Sequence, residues 1–202
     1  MDVTELIKTF VILVAVIDPI GNIPVYISLT AQKTDAEHKS IALKTSCTAV
    51  LLLAASFLLG KHIIGFFGIE MSAFKLIGGI FLLYISFTML SNTKSSYLFS
   101  EENEDISLMP LTFPLFIGPA AISIVIIQSD EISNWTGKII SLFEFALIGL
   151  LIWSTLRLSK LILNSLSKTG TKFIHQIMGL LLGSLAIGMI AEELKILLPG
   201  LS

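Results

Sequence analysis

One carboxylate, Asp18, stands in a segment that is otherwise apolar and that also contains two prolines. The local sequence is Asp18-Pro19-Ile20-Gly21-Asn22-Ile23-Pro24. An aspartate at the centre of a lipid bilayer costs roughly 2.5 to 3.5 kcal/mol on insertion scales, so a bound cation or ammonium group would explain its presence. Proline removes a backbone donor and clashes with the preceding turn, which predicts an interrupted helix with free carbonyl groups beside the carboxylate.

A second apolar segment is interrupted in a similar way by Pro110, Pro114, Gly118 and Pro119. Proline and glycine also occur in membrane helices as plain kinks, and either segment alone is compatible with a kink. Asp18 and the pairing of the two breaks favour a binding site instead. The candidate binding residues are Asp18, Pro19, Gly21, Asn22 and Pro24 in the first segment and Pro114, Gly118, Pro119 and Ser123 in the second.

The composition shows what kind of element carries these residues. Charged residues make up 14% of the 202 residues and hydrophobic residues 54%, whereas soluble domains carry about 25% charged residues. Crossing the hydrocarbon core takes about 20 helical residues. Six apolar segments reach that length: Leu6 to Leu29, Ile41 to Phe67, Met71 to Leu90, Leu108 to Gln128, Lys138 to Leu163 and Phe173 to Leu198. Because lipid cannot satisfy backbone polar groups, we predict an all-α integral membrane protein with six transmembrane helices.

The remaining residue types exclude several functions. The formal net charge of -2 offers no electrostatic basis for binding nucleic acid. The single Cys47 and three scattered histidines have no metal-ligand spacing. The sequence contains no HExxH, GxSxG or phosphate-loop lysine motif. We therefore expect neither an enzyme nor a bound metal or cofactor.

An acidic stretch divides the six segments into three and three. We predict a first three-helix repeat over residues 1–95, a polar linker over residues 96–107 and a second repeat over residues 108–202, all within one membrane domain. Ile20-Gly21 in the first segment recurs as Ile117-Gly118 in the fourth, 97 residues later. Because three is odd, the second repeat would be inverted relative to the first. Helices 1 and 4 broken near the midplane of such a fold indicate a binding site.

The orientation follows from the basic residues, which accumulate in cytoplasmic loops. With both termini outside, eight of the 13 lysines and arginines lie on the cytoplasmic side and five lie outside. The sequence therefore predicts a multi-pass membrane protein with its N- and C-termini outside.

The two interrupted segments resemble those of the MarC family of six-span bacterial membrane proteins. The resemblance is carried by residues 18–24, by residues 105–122 with their Pro110-Leu111, Pro114-Leu115 and Gly118-Pro119 pairs, and by Lys75-Leu76-Ile77-Gly78-Gly79-Ile80. It extends over essentially the whole chain. Ala120 departs from it, since many members carry a second glycine after the proline. The family includes transporters of small neutral amino acids, so the resemblance implies a location in the bacterial cytoplasmic (inner) membrane and transport of such a solute.

These observations together predict a secondary transporter of a small neutral solute, in which Asp18 holds an ammonium group or a coupling cation, H⁺ or Na⁺. The alternatives are a cation channel or metal-ion transporter and a non-transporting membrane scaffold, and an oligomer is possible. Glu144, Lys75 and the pair Glu192-Glu193 fall near one level of the predicted bundle. They are interpreted as an interfacial ion pair or, alternatively, as an outer gate.

Overall fold

The computed structural model describes residues 3–91, 107–165 and 168–198, and within those ranges every regular element is helical. This confirms the predicted all-α class. The helices are α1 (Val3–Ile17), α2 (Ile23–Leu29), α3 (Asp35–Phe66), α4 (Met71–Ser91), a π-helical segment (Ser107–Phe116), α5 (Pro119–Glu131), α6 (Trp135–Arg157), α7 (Ser159–Ser165) and α8 (Lys168–Leu197). The predicted linker over residues 96–107 lies outside the described residues except for Ser107.

Among the described residues, four helices are long and apolar enough to cross a membrane: α3, α4, α6 and residues 176–197 of α8. Large apolar side chains on them point outward, and Leu51, Phe143 and Leu180 are each more than 60% exposed. Water would penalise such a surface, whereas hydrocarbon solvates it well. The exposed surface of these helices is therefore the one that contacts lipid.

The first and fourth apolar segments are divided at the residues that the prolines and glycines predict. The chain leaves the helix at residues 18–22, between α1 and α2, and again at residues 117–118, between the π-helical segment and α5. With 15 and 13 residues, α1 and α5 are only about 22 and 20 Å long, which is short of the roughly 30 Å of hydrocarbon. Neither α1 nor α5 is therefore long enough by itself to cross a membrane.

Several boundaries differ from those predicted, among them the start of α8, which is at Lys168 rather than Phe173. Helix α3 begins at Asp35 rather than Ile41, because Thr34 and Glu37 form a capping box in which each side chain bonds the other residue's backbone N–H. The predicted fifth segment, Lys138 to Leu163, consists of α6 and the short α7, divided at Leu158. The sequence around Leu158 contains no proline or glycine, and nothing local marks this division.

Helix packing forms two main contacts. Helix α3 packs on α6, where the rings of Phe57 and Phe145 meet edge to face with centroids 5.5 Å apart. Helix α4 packs on α8, where the Ser86 hydroxyl donates to the Gly179 carbonyl at 2.7 Å. Glycine on α8 lets the two backbones come close enough for that bond, as small residues do at other membrane helix contacts.

The close approach at Gly179 gives a stability prediction with a matched control on the same helix. A Cβ at Gly179 would lie 2.9 Å from the Met89 Cβ and 3.2 Å from the Ser86 carbonyl oxygen, whereas a Cβ at Gly188 would meet nothing within 4 Å. Gly179→Val should therefore cost about 1 to 3 kcal/mol through overpacking. Gly188→Val, with the same propensity change, should cost less. Thermal unfolding of the purified variants in detergent measures the difference, and equal melting temperatures would contradict this packing.

The orientation is tested by cysteine labelling in intact cells. Thr34 and Asn134 cap α3 and α6, so the exposed neighbours Gln32 and Ser133 are the better positions. In a Cys47→Ser background, Ser133→Cys should react with a membrane-impermeant thiol reagent, and Gln32→Cys should react only after the membrane is opened. The reverse pattern would show that the termini are inside.

Candidate functional site

The first break is held together by its own polar side chains. Asp18 has a backbone φ of +44°, a left-handed conformation that aspartate and asparagine tolerate better than most residues. Its carboxylate oxygen Oδ1 accepts a hydrogen bond from the Gly21 N–H at 3.1 Å. The Asn22 side chain donates to the Ile17 carbonyl, the last of α1, at 3.0 Å. Backbone groups that the break removes from the helix are thus satisfied by Asp18 and Asn22.

This geometry gives Asp18 a structural role that sequence reasoning missed. Asp18 is half-buried rather than sealed in the core, Pro19 is buried, and the Ile20 side chain is exposed. One carboxylate oxygen bonds the backbone, and a carboxylate has lone pairs for further partners. The proposed role of Asp18 in binding an ammonium group or a cation stays a prediction, and it is compatible with the turn that the residue stabilises. Pro24 is the second residue of α2, a position at which a helix tolerates proline.

The second break is an extended residue before a proline. Gly118 is the N-cap of α5, with φ of -85° and ψ of 176°, and it supplies no side-chain cap. Pro119 is the first residue of the helix, where its missing N–H removes nothing. The first-turn N–H groups of α5 therefore have no capping side chain from the N-cap residue. Such a helix N-terminus carries a partial positive charge and attracts carboxylates.

The segment before this break is π-helical and is anchored to α3. The Ile117 N–H bonds the Thr112 carbonyl five residues earlier at 2.8 Å. The Thr112 hydroxyl lies 2.6 Å from the Ser107 carbonyl and 3.3 Å from the Thr45 carbonyl of α3. Pro110 and Pro114 lie within this segment. From the sequence, these prolines were interpreted only as interruptions of an α-helix. Single-turn π-helical bulges within α-helices are frequent at functional sites.

The structure brings the flanks of the two breaks into one core. Helix α1 contacts α5, and Leu13 and Ile17 belong to the same buried cluster as Ile117 and Ala121. Ser123, the remaining candidate, is buried against α4, where its Cβ would lie 3.2 Å from a Cβ on Gly78. Ser123 therefore lies in a helix contact, and its part in binding stays a prediction.

A second polar cluster, which the sequence did not resolve, lies between α5 and α6. The Gln128 amide nitrogen Nε2 donates to the Glu144 carboxylate at 2.8 Å and lies 3.3 Å from the Ser141 hydroxyl. The expected pairing of Glu144 with Lys75 is not found, because Lys75 pairs with Glu131 at 3.5 Å. Of the acidic pair in α8, Glu193 is buried and Glu192 is exposed. A glutamate within an apolar segment was the available signal, but its partner on another helix could not be read from the sequence.

Comparison with known proteins identifies the family. The model of the MarC family integral membrane proteins matches residues 3–198. The chain belongs to the MarC family. Its relatives include UPF0056 membrane proteins of Buchnera aphidicola from Schizaphis graminum (37% identical, covering 96% of this chain and 93% of the relative), of Escherichia coli K12 (33%, 96% and 94%) and of Bacillus subtilis 168 (34%, 98% and 97%). No solved structure matches the chain.

Membership confirms the resemblance read from residues 18–24 and 105–122, and it makes the chain an integral membrane protein with bacterial relatives. The matched range of the family model contains both breaks and the Gln128–Glu144 cluster. The names of these MarC relatives state a location in a membrane and no substrate.

The structural role of Asp18 can be tested separately from any transport role. Asp18→Asn retains an oxygen acceptor for the Gly21 N–H and tolerates the left-handed backbone, so its melting temperature should stay close to that of the wild type. Asp18→Ala loses the hydrogen bond and places alanine in that conformation, which together should cost about 2 kcal/mol. Thermal unfolding in detergent ranks the three proteins. Asp18→Ala as stable as the wild type would show that the side chain does not support the break.

Proposed function

We propose that this MarC-family protein is a secondary transporter that moves a small neutral amino acid, or a solute of similar size, across the bacterial cytoplasmic membrane. The observation that carries the proposal is the pair of interrupted helices, one at residues 18–22 and one at residues 117–118. In transporters with inverted repeats, helices broken at corresponding positions of the two halves form the substrate site. A protein that only anchors partners has no use for two such breaks.

The proposed architecture has six spans in two inverted halves. The pair α1 and α2, then α3 and α4, form the first half, and the π-helical segment with α5, then α6 and α8, form the second. The relation between the two halves is supported by the position of the broken element, which is the first of three elements in each half. Both termini lie outside in this arrangement, as the basic residues predict.

The proposed site matches the two charges of a zwitterion. The uncapped first turn of α5 behind Gly118 offers N–H donors and the positive end of a helix dipole to a carboxylate. The Asp18 carboxylate and the C-terminal carbonyl groups of α1 offer acceptors to an ammonium group. Contact between α1 and α5 places these two kinds of partner on neighbouring helices. A solute with one charge of each sign and a small side chain suits that pair.

The proposal is tested by flux into proteoliposomes. The purified protein should take up labelled alanine or glycine, and an imposed H⁺ or Na⁺ gradient should accelerate the uptake. Asp18→Asn should fold but lose most of the flux, because it keeps the turn and removes the charge. Glu131→Gln removes a carboxylate at the exposed end of α5 and serves as the matched control with near wild-type flux. Cation flux without amino acid uptake would favour a channel, and no flux of either would favour a scaffold.

A second set of variants tests whether both breaks form one site. Gly21→Val and Gly118→Val should each weaken substrate binding, because a side chain blocks the approach that glycine allows. The double variant should lose less affinity than the two single losses combined, because both changes disrupt the same complex. Binding is measured on purified protein with thermal stability recorded alongside. Unchanged affinity in Gly118→Val would remove the second half from the site.

A further inference from the structure

The Gln128–Ser141–Glu144 cluster contains two buried oxygen atoms whose hydrogen-bonding capacity is unused. Gln128 is 2% exposed, Glu144 5% and Ser141 0%. The Gln128 amide satisfies only one Glu144 oxygen, Oε2. Among the described residues, neither the Glu144 oxygen Oε1 nor the Gln128 oxygen Oε1 has a hydrogen-bond partner. Both are acceptors, so what the cluster lacks is a donor or a cation.

The depth of the cluster makes this lack costly. Glu144 is the tenth residue of α6, about 14 Å along the helix from its first residue, and Phe145 and Ile148 of the same helix belong to the buried core. An ionised carboxylate buried without a positively charged partner carries a penalty of several kcal/mol. A buried carboxylate therefore either takes up a proton or binds a positive ion. Intramembrane carboxylates of this kind mark ion and proton pathways.

The basic groups on the surrounding helices do not supply that charge. Those on the helices packed around α5 and α6 include Lys8 on α1, Lys61 and His62 on α3, Lys75 on α4 and Lys138 on α6 itself. The others are His38, Lys39 and Lys44 on α3, Arg157 on α6 and Lys160 on α7; His38 contacts Tyr26, and the other four are exposed. Lys61 pairs with Asp130 at 2.7 Å and Lys75 pairs with Glu131. Lys138 lies over the Trp135 ring, and Lys8 and His62 are exposed. Within the described ranges, no salt bridge reaches Glu144.

We propose that Glu144, Gln128 and Ser141 form a binding site for one monovalent cation, either H⁺ or Na⁺. A single carboxylate balances one positive charge. The carboxylate, amide and hydroxyl oxygens are the hard ligands that an alkali cation takes, and a proton on Glu144 would turn one unpaired acceptor into a donor. The role of this site as the coupling site rests on the proposed transport function, whereas the binding itself does not.

Helix α5 connects this site to the second break. Gln128 lies on the same helix as Pro119, nine residues further on and about 14 Å along the axis. A cation that draws the Gln128 oxygen towards Glu144 would shift α5 as a unit, and with it the N–H groups proposed to hold the substrate carboxylate. Asp18 would then be left to bind the ammonium group of the substrate.

The experiment compares Glu144→Gln with Glu131→Gln in purified protein without any amino acid. The first change is nearly isosteric, and its new amide can donate to the Gln128 oxygen, so the helix contact is preserved. For Na⁺, the melting temperature is measured against NaCl with choline chloride keeping the ionic strength constant. The wild type and Glu131→Gln should show a saturable rise, and Glu144→Gln should need at least tenfold more Na⁺ or show no rise.

For H⁺, infrared spectra are recorded at a series of pH values. A C=O band of a protonated carboxylic acid should be present in the wild type and in Glu131→Gln, should disappear at high pH and should be missing in Glu144→Gln. Either the Na⁺ response or this band supports the site and identifies the cation. The absence of both in the wild type, or their persistence in Glu144→Gln, would overturn it.

Two further measurements keep the test independent of folding and of transport. If Glu144→Gln fails to fold, Gln128→Met, which removes the amide oxygen at similar volume, should weaken Na⁺ stabilisation or shift the pH at which the acid band disappears. An unchanged response would contradict the site. Cation binding without amino acid flux would refute the proposed function alone. Amino acid flux that retains its ion coupling in Glu144→Gln would refute the role of this site as the coupling site and leave the proposed function intact.

Discussion

Backbone N–H and C=O groups cannot be left unpaired in hydrocarbon, and this constraint organises the structure. The long helices α3, α4, α6 and α8 meet it internally. At residues 18–22 the helix cannot continue, and the Asp18 and Asn22 side chains bond the Gly21 N–H and the Ile17 carbonyl instead. Before the second break the backbone stays bonded by changing to π-helical geometry. The backbone groups at the first break are thus paired with side chains, and those of the segment before the second break are paired within a π-helix.

Helix α5 contacts several of the other helices. It contacts α1, α3 and α4, and its C-terminal Asp130 and Glu131 pair with Lys61 and Lys75 of the first half. Those pairs offset the unfavourable position of acidic residues at the negative end of a helix. The same helix begins at the second break and carries Gln128. It is therefore the element that would connect the proposed cation site to the proposed substrate site.

Structural features that depend on residues close together along the chain could be predicted from the sequence, with one exception. Proline, glycine and aspartate act on their own turn of the chain, so the breaks at residues 18–22 and 117–118 could be located from the sequence. The start of α3 was missed, although the Thr34–Glu37 capping box is also local. The backbone bonds made by Asp18 and Asn22 were missed because they depend on the φ value of Asp18. The packing of Ser123 on Gly78 depends on the approach of two helices.

The sequence by itself determined that this is an all-helical membrane protein of the MarC family with two interrupted segments, because hydropathy and the positions of proline act within a few residues along the chain. Only the tertiary structure decided the partners of the intramembrane polar groups. Lys75 pairs with Glu131, 56 residues away, and Glu144 accepts a hydrogen bond from Gln128, 16 residues away. Such pairs depend on the rotation and offset of packed helices, and neither quantity is encoded in the spacing of residues along one helix.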